Sequence, residues 1–154
     1  MLLAMLATEQ PSKYIFMMTT NEKIFIVDDD PITVFGIRKL LNEIINEQCI
    51  AAFEHGELAL NSILLKMANG TEIPDIIFLD INMPIMDGWQ FLEAFCALDI
   101  KKRIRINIIT SSIDPADYEK WLYYQKRTKH YVEFRNKPIL KIVPEDISFV
   151  SKAS

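Results

Sequence analysis

Acidic, hydroxyl and basic side chains stand at the ends of several apolar segments of this sequence. The acidic run Asp28–Asp30 follows the first apolar segment, and Asp80 follows another. A further segment ends in Thr110, and a short one ends close to Lys137. Carboxylates that meet at one point make an oxygen-rich site suited to Mg²⁺, and a lysine beside them can bind an anion. The residue types therefore indicate a magnesium site next to an anion, provided that the fold brings them together.

Strand-like and helix-like segments alternate along the chain. Apolar, β-branched runs predict five strands, at residues 23–27, 48–53, 75–79, 103–110 and 131–134. Apolar residues at helical spacing predict five helices, at residues 31 to about 45, 56–68, 89–98, 114 to about 129 and 144 to about 152. This alternation predicts an α/β fold with a parallel sheet and helices on both faces. The polar groups would then share the carboxyl edge of the sheet, where such folds bind ligands.

Capping residues support several of these boundaries. Asp30 is placed to cap a helix that has Pro31 in its first position, and Asp114-Pro115 repeats the arrangement. Gly70 suits the end of the second helix. Asp87-Gly88 is typical of a turn.

The bulk composition is that of an ordinary soluble globular protein. The 154 residues are 50% hydrophobic and 25% charged, with a net charge of -4. This charge argues against a nucleic-acid-binding surface. We interpret the two cysteines, Cys49 and Cys96, as buried free thiols rather than a disulfide or a metal site, which suits a cytoplasmic protein.

The chain length predicts one domain, which we place at residues 21–154. Residues 1–20 are interpreted as an N-terminal extension. The apolar start Met1–Leu6 is too short for a membrane span and lacks the features of a signal peptide. Met17 and Met18 directly precede the first strand, so translation could begin there.

Each candidate residue also has an ordinary structural explanation. The first acids could simply cap a helix and form a solvated turn, although their pairing with Asp80 favours a functional site. Thr110 could be a residue with good strand propensity, Phe134 could belong to the core, and Lys137 could be a solvated lysine. Pro138 would fix the backbone that directs Lys137, and the peptide bond between them could be cis or trans.

Four segments together closely resemble the receiver domain of two-component response regulators, in the order and near the spacing of that family. They are Ile26–Pro31, Leu79–Gly88, Thr110–Ser112 and Lys137-Pro138. The resemblance extends over roughly residues 22–152 and implies a flavodoxin-like, doubly wound five-stranded parallel sheet with five helices. The strand order that it implies is 2-1-3-4-5.

The resemblance implies a role for each acidic candidate. Asp80 matches the phosphoacceptor, and Asp28 and Asp29 match the acidic pair that binds Mg²⁺. Asp29 would bind the ion directly and Asp28 through water. Asn82 would offer its backbone carbonyl to the same ion.

The resemblance also implies a switch. Thr110 matches the switch hydroxyl, Lys137 the phosphate-binding lysine and Phe134 the aromatic switch position. Phe134 lacks the hydroxyl of the tyrosine often found there, so it cannot hydrogen-bond. Phosphorylation would draw Thr110 inward and let Phe134 turn. The face made by the fourth helix, fifth strand and fifth helix would then change shape.

The family implies a signalling protein rather than a metabolic enzyme. Its phosphoryl donor would be a histidine kinase or a histidine phosphotransfer protein, and its downstream target would be another protein. Because little sequence follows the predicted last helix, we expect a stand-alone receiver, monomeric or weakly dimeric. We expect no nucleic-acid or membrane partner.

Two other functions remain open. One is a pseudo-receiver that acts by interaction alone, independently of phosphorylation, although the intact acids, Thr110 and Lys137 argue against it. The other is a Mg²⁺-dependent phosphohydrolase with an aspartyl-phosphate intermediate. That reaction needs a second acid two residues after the nucleophile, and Asn82 occupies that position.

One region departs from the family pattern. Twenty-three residues separate Thr110 from Phe134, a few more than is usual, so we expect an extended fourth helix region. Its aromatic residues Trp121, Tyr123 and Tyr124 could form a partner-binding patch or part of the core.

Overall fold

Five parallel strands form one sheet in the computed structural model, which describes residues 22–148. The strands are β1 (Ile24–Val27), β2 (Ile50–Phe53), β3 (Ile76–Asp80), β4 (Arg105–Thr110) and β5 (Tyr131–Asn136). Their order across the sheet is β2-β1-β3-β4-β5. The predicted doubly wound α/β fold and its strand order are confirmed. The predicted N-terminal extension and the position of the translation start lie outside the described residues.

Four α-helices connect the strands within the described part of the chain. They are α1 (Pro31–Leu41), α2 (Gly56–Ala68), α3 (Gly88–Cys96) and α4 (Pro115–Arg127). Short 3-10 helices occur at Glu47–Cys49 and Pro144–Ile147. None of these helices combines the length and the apolar character needed to cross a membrane. Cys49 and Cys96 are free, as predicted, but they are only partly buried.

The prediction of a fifth α-helix beginning at Pro144 is wrong for the residues that the structure describes. The chain forms a single 3-10 turn at Pro144–Ile147, and Ser148 is extended. The Asp146 carboxylate accepts the Val143 N–H at 2.9 Å, which caps the start of the turn. Its carbonyl, which an α-helix would bond to a later N–H, instead accepts from Asn107 Nδ2 on β4 at 3.0 Å. Asp146 also pairs with Arg135 at 3.2 Å, so the segment is held against β4 and β5. The rest of the predicted helix lies outside residues 22–148.

Side-chain caps explain where three of the helices begin. Asp30 and Asp114 cap α1 and α4 by accepting the backbone N–H two residues further on, at 3.0 and 2.9 Å. Proline occupies the first position of both helices, as predicted. Asp87 was expected in a turn, but it caps α3 through a reciprocal capping box with Gln90.

The sheet is buried on both faces, and its central strands β1 and β3 are apolar apart from the terminal Asp80. Alternate residues of β1 enter two separate cores: Phe25 and Val27 pack with α2 and α3, whereas Ile24 and Ile26 pack with α1. Strand β3 divides its side chains in the same way. Burial on both faces explains why these strands are continuous apolar runs rather than alternating ones.

The strand register brings polar residues to one edge of the sheet. Val27 pairs with Leu79, so Asp28 and Asp80 follow neighbouring positions on β1 and β3. Thr110 ends β4, which lies on the other side of β3. The carboxyl edge therefore presents these three residues together, at the place where open parallel sheets bind ligands.

Candidate functional site

Three carboxylates meet at the carboxyl edge of the sheet. One oxygen each from Asp28, Asp29 and Asp80 lies within 4.8 Å of the others. Asp28 and Asp80 are only 2% and 4% exposed, whereas Asp29 faces solvent. The structure thus brings together the acids that the sequence pattern singled out, with two of them buried and one accessible.

Lys137 completes the cluster from the end of β5. Its Nζ lies 2.9 Å from Asp28 Oδ2 and 3.4 Å from Asp80 Oδ1. The Lys137 N–H donates to the Thr110 carbonyl at 2.8 Å, which anchors this segment beside β4. The Lys137–Pro138 peptide bond is cis, one of the two forms allowed by the sequence. The Lys137 ammonium group therefore forms ion pairs with two buried carboxylates, those of Asp28 and Asp80.

The electrostatics of the cluster leave negative charge incompletely balanced. Burial, followed by the charge of Asp28, raises the pKa of Asp80 from 3.8 to about 6, although Lys137 opposes the rise. Burial alone would lower the pKa of Lys137. The hydrogen bond to Asp28 and the charges of both carboxylates outweigh burial, so the pKa of Lys137 is raised. Three carboxylates against one ammonium suit a divalent cation with oxygen ligands.

The other predicted site residues occupy distinct positions. Thr110 is fully buried at the end of β4, and its Oγ1 accepts the Ser112 N–H at 2.9 Å. Phe134 is half-buried on β5, with the Trp121 ring at 5.8 Å between centroids. Asn82 is exposed, two residues after Asp80 in the loop that leads to α3. The roles assigned to these three residues stay predictions.

A glycine keeps the loop after Asp80 close to the strand. The Gly88 N–H donates to the Ile81 carbonyl at 2.8 Å. A Cβ on Gly88 would lie 2.3 Å from the Asp80 carbonyl oxygen and 2.8 Å from Ile81 Cα, inside van der Waals contact. The sequence showed only a turn dipeptide here. The structure shows that the first turn of α3 packs directly on the backbone that carries Asp80.

A hydrogen-bonded chain that the sequence did not reveal begins at Thr110. Besides the bond to Thr110, Ser112 donates its hydroxyl to Asp117 Oδ2. Asp117 Oδ1 accepts the indole N–H of Trp89 at 2.8 Å. These hydrogen bonds join β4, α4 and α3. Trp89 and Asp117 are too far apart in the sequence for helix or strand periodicity to predict that they meet.

The aromatic residues of α4 are mostly engaged within the domain. Trp121 donates its indole N–H to the Val132 carbonyl at 2.8 Å. Tyr124 stacks on Trp89, with centroids 6.1 Å apart. Tyr123 is 51% exposed. Two of the three aromatics considered for a partner-binding patch therefore belong to internal packing.

Known proteins resemble this chain in sequence. Residues 24–133 match the family model of the response regulator receiver domain. Sporulation initiation phosphotransferase F of Bacillus subtilis (strain 168) is 37% identical over 91 residues, which cover 59% of this chain and 65% of that protein. A protein-glutamate methylesterase/protein-glutamine glutaminase 2 of Vibrio vulnificus is 36% identical over 99 residues, covering 61% of this chain and 26% of that protein. The chain thus spans less than two thirds of either relative.

Solved structures show the same fold. A two-component response regulator from Cytophaga hutchinsonii matches with a TM-score of 0.62 and 27% identity, over 76% of this chain and 86% of that one. A chemotaxis protein of Vibrio cholerae matches with a TM-score of 0.58 and 22% identity, over 82% of this chain and 92% of that one. The second similarity concerns the fold alone.

Proposed function

Because this chain belongs to the response regulator receiver domain family, we propose that it accepts a phosphoryl group on Asp80 within a two-component phosphorelay. The observation that carries the proposal is the placement of Asp80, which is buried beside Asp28 and 3.4 Å from the Lys137 ammonium. The donor is a phosphohistidine on a histidine kinase or on a histidine phosphotransfer protein.

The transfer is a displacement at phosphorus. A carboxylate oxygen of Asp80 forms the new P–O bond while the P–N bond to the donor histidine breaks, and the imidazole keeps the electron pair and takes up a proton. With a pKa of about 6, Asp80 is mostly ionised at neutral pH and can act as the nucleophile. The Lys137 ammonium lies where it can neutralise phosphoryl oxygens as negative charge redistributes.

The acidic cluster fits Mg²⁺. Asp28, Asp29 and Asp80 would hold the ion with carboxylate oxygens, and Asn82 would add its backbone carbonyl. When bound, Mg²⁺ supplies positive charge that offsets the charge on the phosphoryl oxygens. Burial contributes most to the raised pKa of Asp80 and the charge of Asp28 contributes next, so a bound cation would offset both effects.

The output is a change in protein–protein interaction. The phosphoryl dianion on Asp80 attracts the Thr110 hydroxyl, and the space that this frees allows Phe134 to turn. Phe134 already contacts Tyr118 and Trp121, whose rings lie 6.3 and 5.8 Å away, so its rotation alters packing against α4. The surface of α4, β5 and the C-terminal segment thereby favours a different protein partner. The protein acts in signalling, in the cytoplasm, and not as a metabolic enzyme.

Phosphorylation by acetyl phosphate, measured by intact mass, tests the proposal directly. The wild type should gain the mass of one phosphoryl group in the presence of Mg²⁺ and not in EDTA. Asp80→Asn should show no gain, while the matched control Asp99→Asn, at an exposed aspartate, should react like the wild type. A folded wild-type protein that gains no mass under any condition would refute the phosphoacceptor assignment and favour a phosphorylation-independent interaction module.

A further inference from the structure

Thr110 is joined to α3 by a continuous line of hydrogen bonds. The Ser112 N–H donates to Thr110 Oγ1 at 2.9 Å, and the Ser112 hydroxyl donates to Asp117 Oδ2. The second oxygen of Asp117 accepts the Trp89 indole N–H at 2.8 Å. One carboxylate therefore holds the partner of the Thr110 hydroxyl with one oxygen and a tryptophan of α3 with the other.

Ser112 is held from several directions. In addition to the bonds above, its hydroxyl oxygen accepts the Asp114 N–H at 3.2 Å. Its carbonyl accepts from Asn136 Nδ2 at 3.3 Å. Because these contacts tie Ser112 to the start of α4 and the end of β5, it moves only together with the groups around it.

Trp89 is well placed to respond to a shift of Asp117. The side chain is only 8% exposed, and its ring stacks on Tyr124 at an interplanar angle of 11°. The Lys120 ammonium stands 5.8 Å from the ring centroid. The indole is thus clamped between α3 and α4, and its N–H bond to a carboxylate fixes its orientation.

We propose that Asp117 is a positioning residue for Thr110, and that it transmits the phosphorylation state of Asp80 to Trp89 through Ser112. This inference rests on the proposed function, since a phosphoryl group on Asp80 is what draws the Thr110 hydroxyl. The path leads to α3 and to the first turn of α4, and it is separate from the rotation of Phe134 on β5.

The direction of the effect follows from hydrogen-bond geometry. Thr110 Oγ1 accepts from Ser112 through one lone pair, and its proton is free to point at a phosphoryl oxygen. When the hydroxyl moves, the Ser112 N–H must follow it or lose a partly buried hydrogen bond, and losing the bond is unfavourable. Since Ser112 is bonded to Asp117, the displacement reaches the carboxylate and then the indole.

Fluorescence of Trp89 reports on this path. The chain has two tryptophans, so Trp121→Phe leaves Trp89 as the only indole fluorophore. Phosphorylation with acetyl phosphate and Mg²⁺ should change the emission of this parent variant, with the extent of phosphorylation measured in the same sample by intact mass. Adding Asp117→Ala should abolish most of the emission change while the phosphoryl mass gain persists.

Two further variants keep the test decisive. Ser112→Ala removes the hydroxyl that binds Asp117 but keeps the backbone N–H that donates to Thr110. It should therefore abolish most of the emission change, as Asp117→Ala does, without removing a carboxylate. Glu119→Ala is the control for Asp117→Ala. It removes the same negative charge from an exposed position on α4 and should retain the full emission change. Because Ser112 and Asp117 act in series, the double variant should lose no more than either single variant.

The outcomes distinguish failure of the role proposed for Asp117 from failure of the proposed phosphoacceptor function. A phosphorylated parent without an emission change, or a phosphorylated Asp117→Ala variant with the full change, overturns the role of Asp117 and leaves the phosphoacceptor proposal intact. A folded parent that gains no phosphoryl mass overturns both. Loss of the emission change in both Asp117→Ala and Ser112→Ala, with normal mass gain, establishes the path.

Discussion

At the scale of single residues, Asp80 meets two opposing demands. A nucleophile must be ionised, yet burial and the neighbouring Asp28 penalise its charge and raise its pKa to about 6. Lys137 offsets part of that penalty at 3.4 Å but is shared with Asp28. The residue proposed to react therefore destabilises the fold when no cation is bound, which is common where function sets the local charge.

Asp80→Asn should stabilise the metal-free protein at neutral pH. A carboxyl group whose pKa is higher in the folded state costs nothing below its ordinary value of 3.8, where it is protonated in both states. The cost grows as pH rises through about 6 and is then constant. We expect the variant to raise the free energy of unfolding by up to about 3 kcal/mol at pH 7, since the pKa rises from 3.8 to about 6 with the opposing effect of Lys137 included, and one pKa unit corresponds to ~1.4 kcal/mol.

Urea denaturation in EDTA at pH 4 and pH 7 measures this difference. The gain should shrink towards zero at the lower pH. A variant that is less stable than the wild type at pH 7 would show that Asp80 is not under electrostatic strain.

At the scale of secondary-structure elements, the loop between β3 and α3 sets the position of the site. Ile85 has a positive φ of 68°, which a branched side chain rarely adopts. Gly88 brings the start of α3 onto the Asp80 backbone, and the capping box of Asp87 and Gln90 fixes where the helix begins. The loop therefore brings α3 close to the Asp80 backbone, although Ile85 adopts an unfavourable backbone conformation.

Gly88→Ala should destabilise the protein, because the new Cβ would meet the Asp80 carbonyl oxygen at 2.3 Å and force the backbone apart. We expect a loss of about 1–3 kcal/mol in the free energy of unfolding, the usual cost of an overpacked site. Gly36→Ala is the matched control, since nothing lies within 4 Å of a Cβ there. In the middle of α1, that substitution should stabilise by about 0.5–1 kcal/mol. Equal stabilities of the two variants would contradict the packing argument.

At the scale of the whole molecule, folding assembles the site from distant parts of the chain. The acids come from the ends of β1 and β3, and Lys137 follows β5 at the far side of the sheet. An unfolded chain cannot hold these groups within a few ångströms of one another. Any cation that binds the cluster should therefore stabilise the folded state, by an amount that grows with the logarithm of its concentration relative to its dissociation constant.

Mg²⁺ should accordingly raise the free energy of unfolding of the wild type, by ~2.7 kcal/mol at about 100 times its dissociation constant. Asp29→Asn should abolish this gain while changing the metal-free stability little, because Asp29 is exposed. Asp99→Asn, at an exposed aspartate outside the cluster, should keep the gain. Thermal unfolding with and without EDTA provides the comparison, and equal Mg²⁺ stabilisation of the Asp29→Asn variant would rule out the assigned cation site.

Local chemistry in the sequence was sufficient to predict much of the fold. Burial on both faces of a parallel strand requires an uninterrupted apolar run, so β1 and β3 can be recognised without knowing their neighbours. A polar residue that directly follows such a run, as Asp28 and Asp80 do, must lie at the carboxyl edge. Caps such as Asp30 likewise depend on only the next few residues. The four-segment resemblance added the strand order.

Features that depend on distant partners were decided by the tertiary structure. The fifth helix was predicted from Pro144 and the acids after it, but the chain becomes extended at Ser148 and the Asp146 carbonyl accepts from the Asn107 side chain on β4. The hydrogen bonds that connect Thr110 to Trp89 join residues whose separations in the sequence follow no helix or strand periodicity. The sequence by itself determined which chemistry this edge of the sheet can hold. The packing alone decided the pKa of Asp80 and the contacts around it, because burial and the distance to other charges exist only in the folded chain.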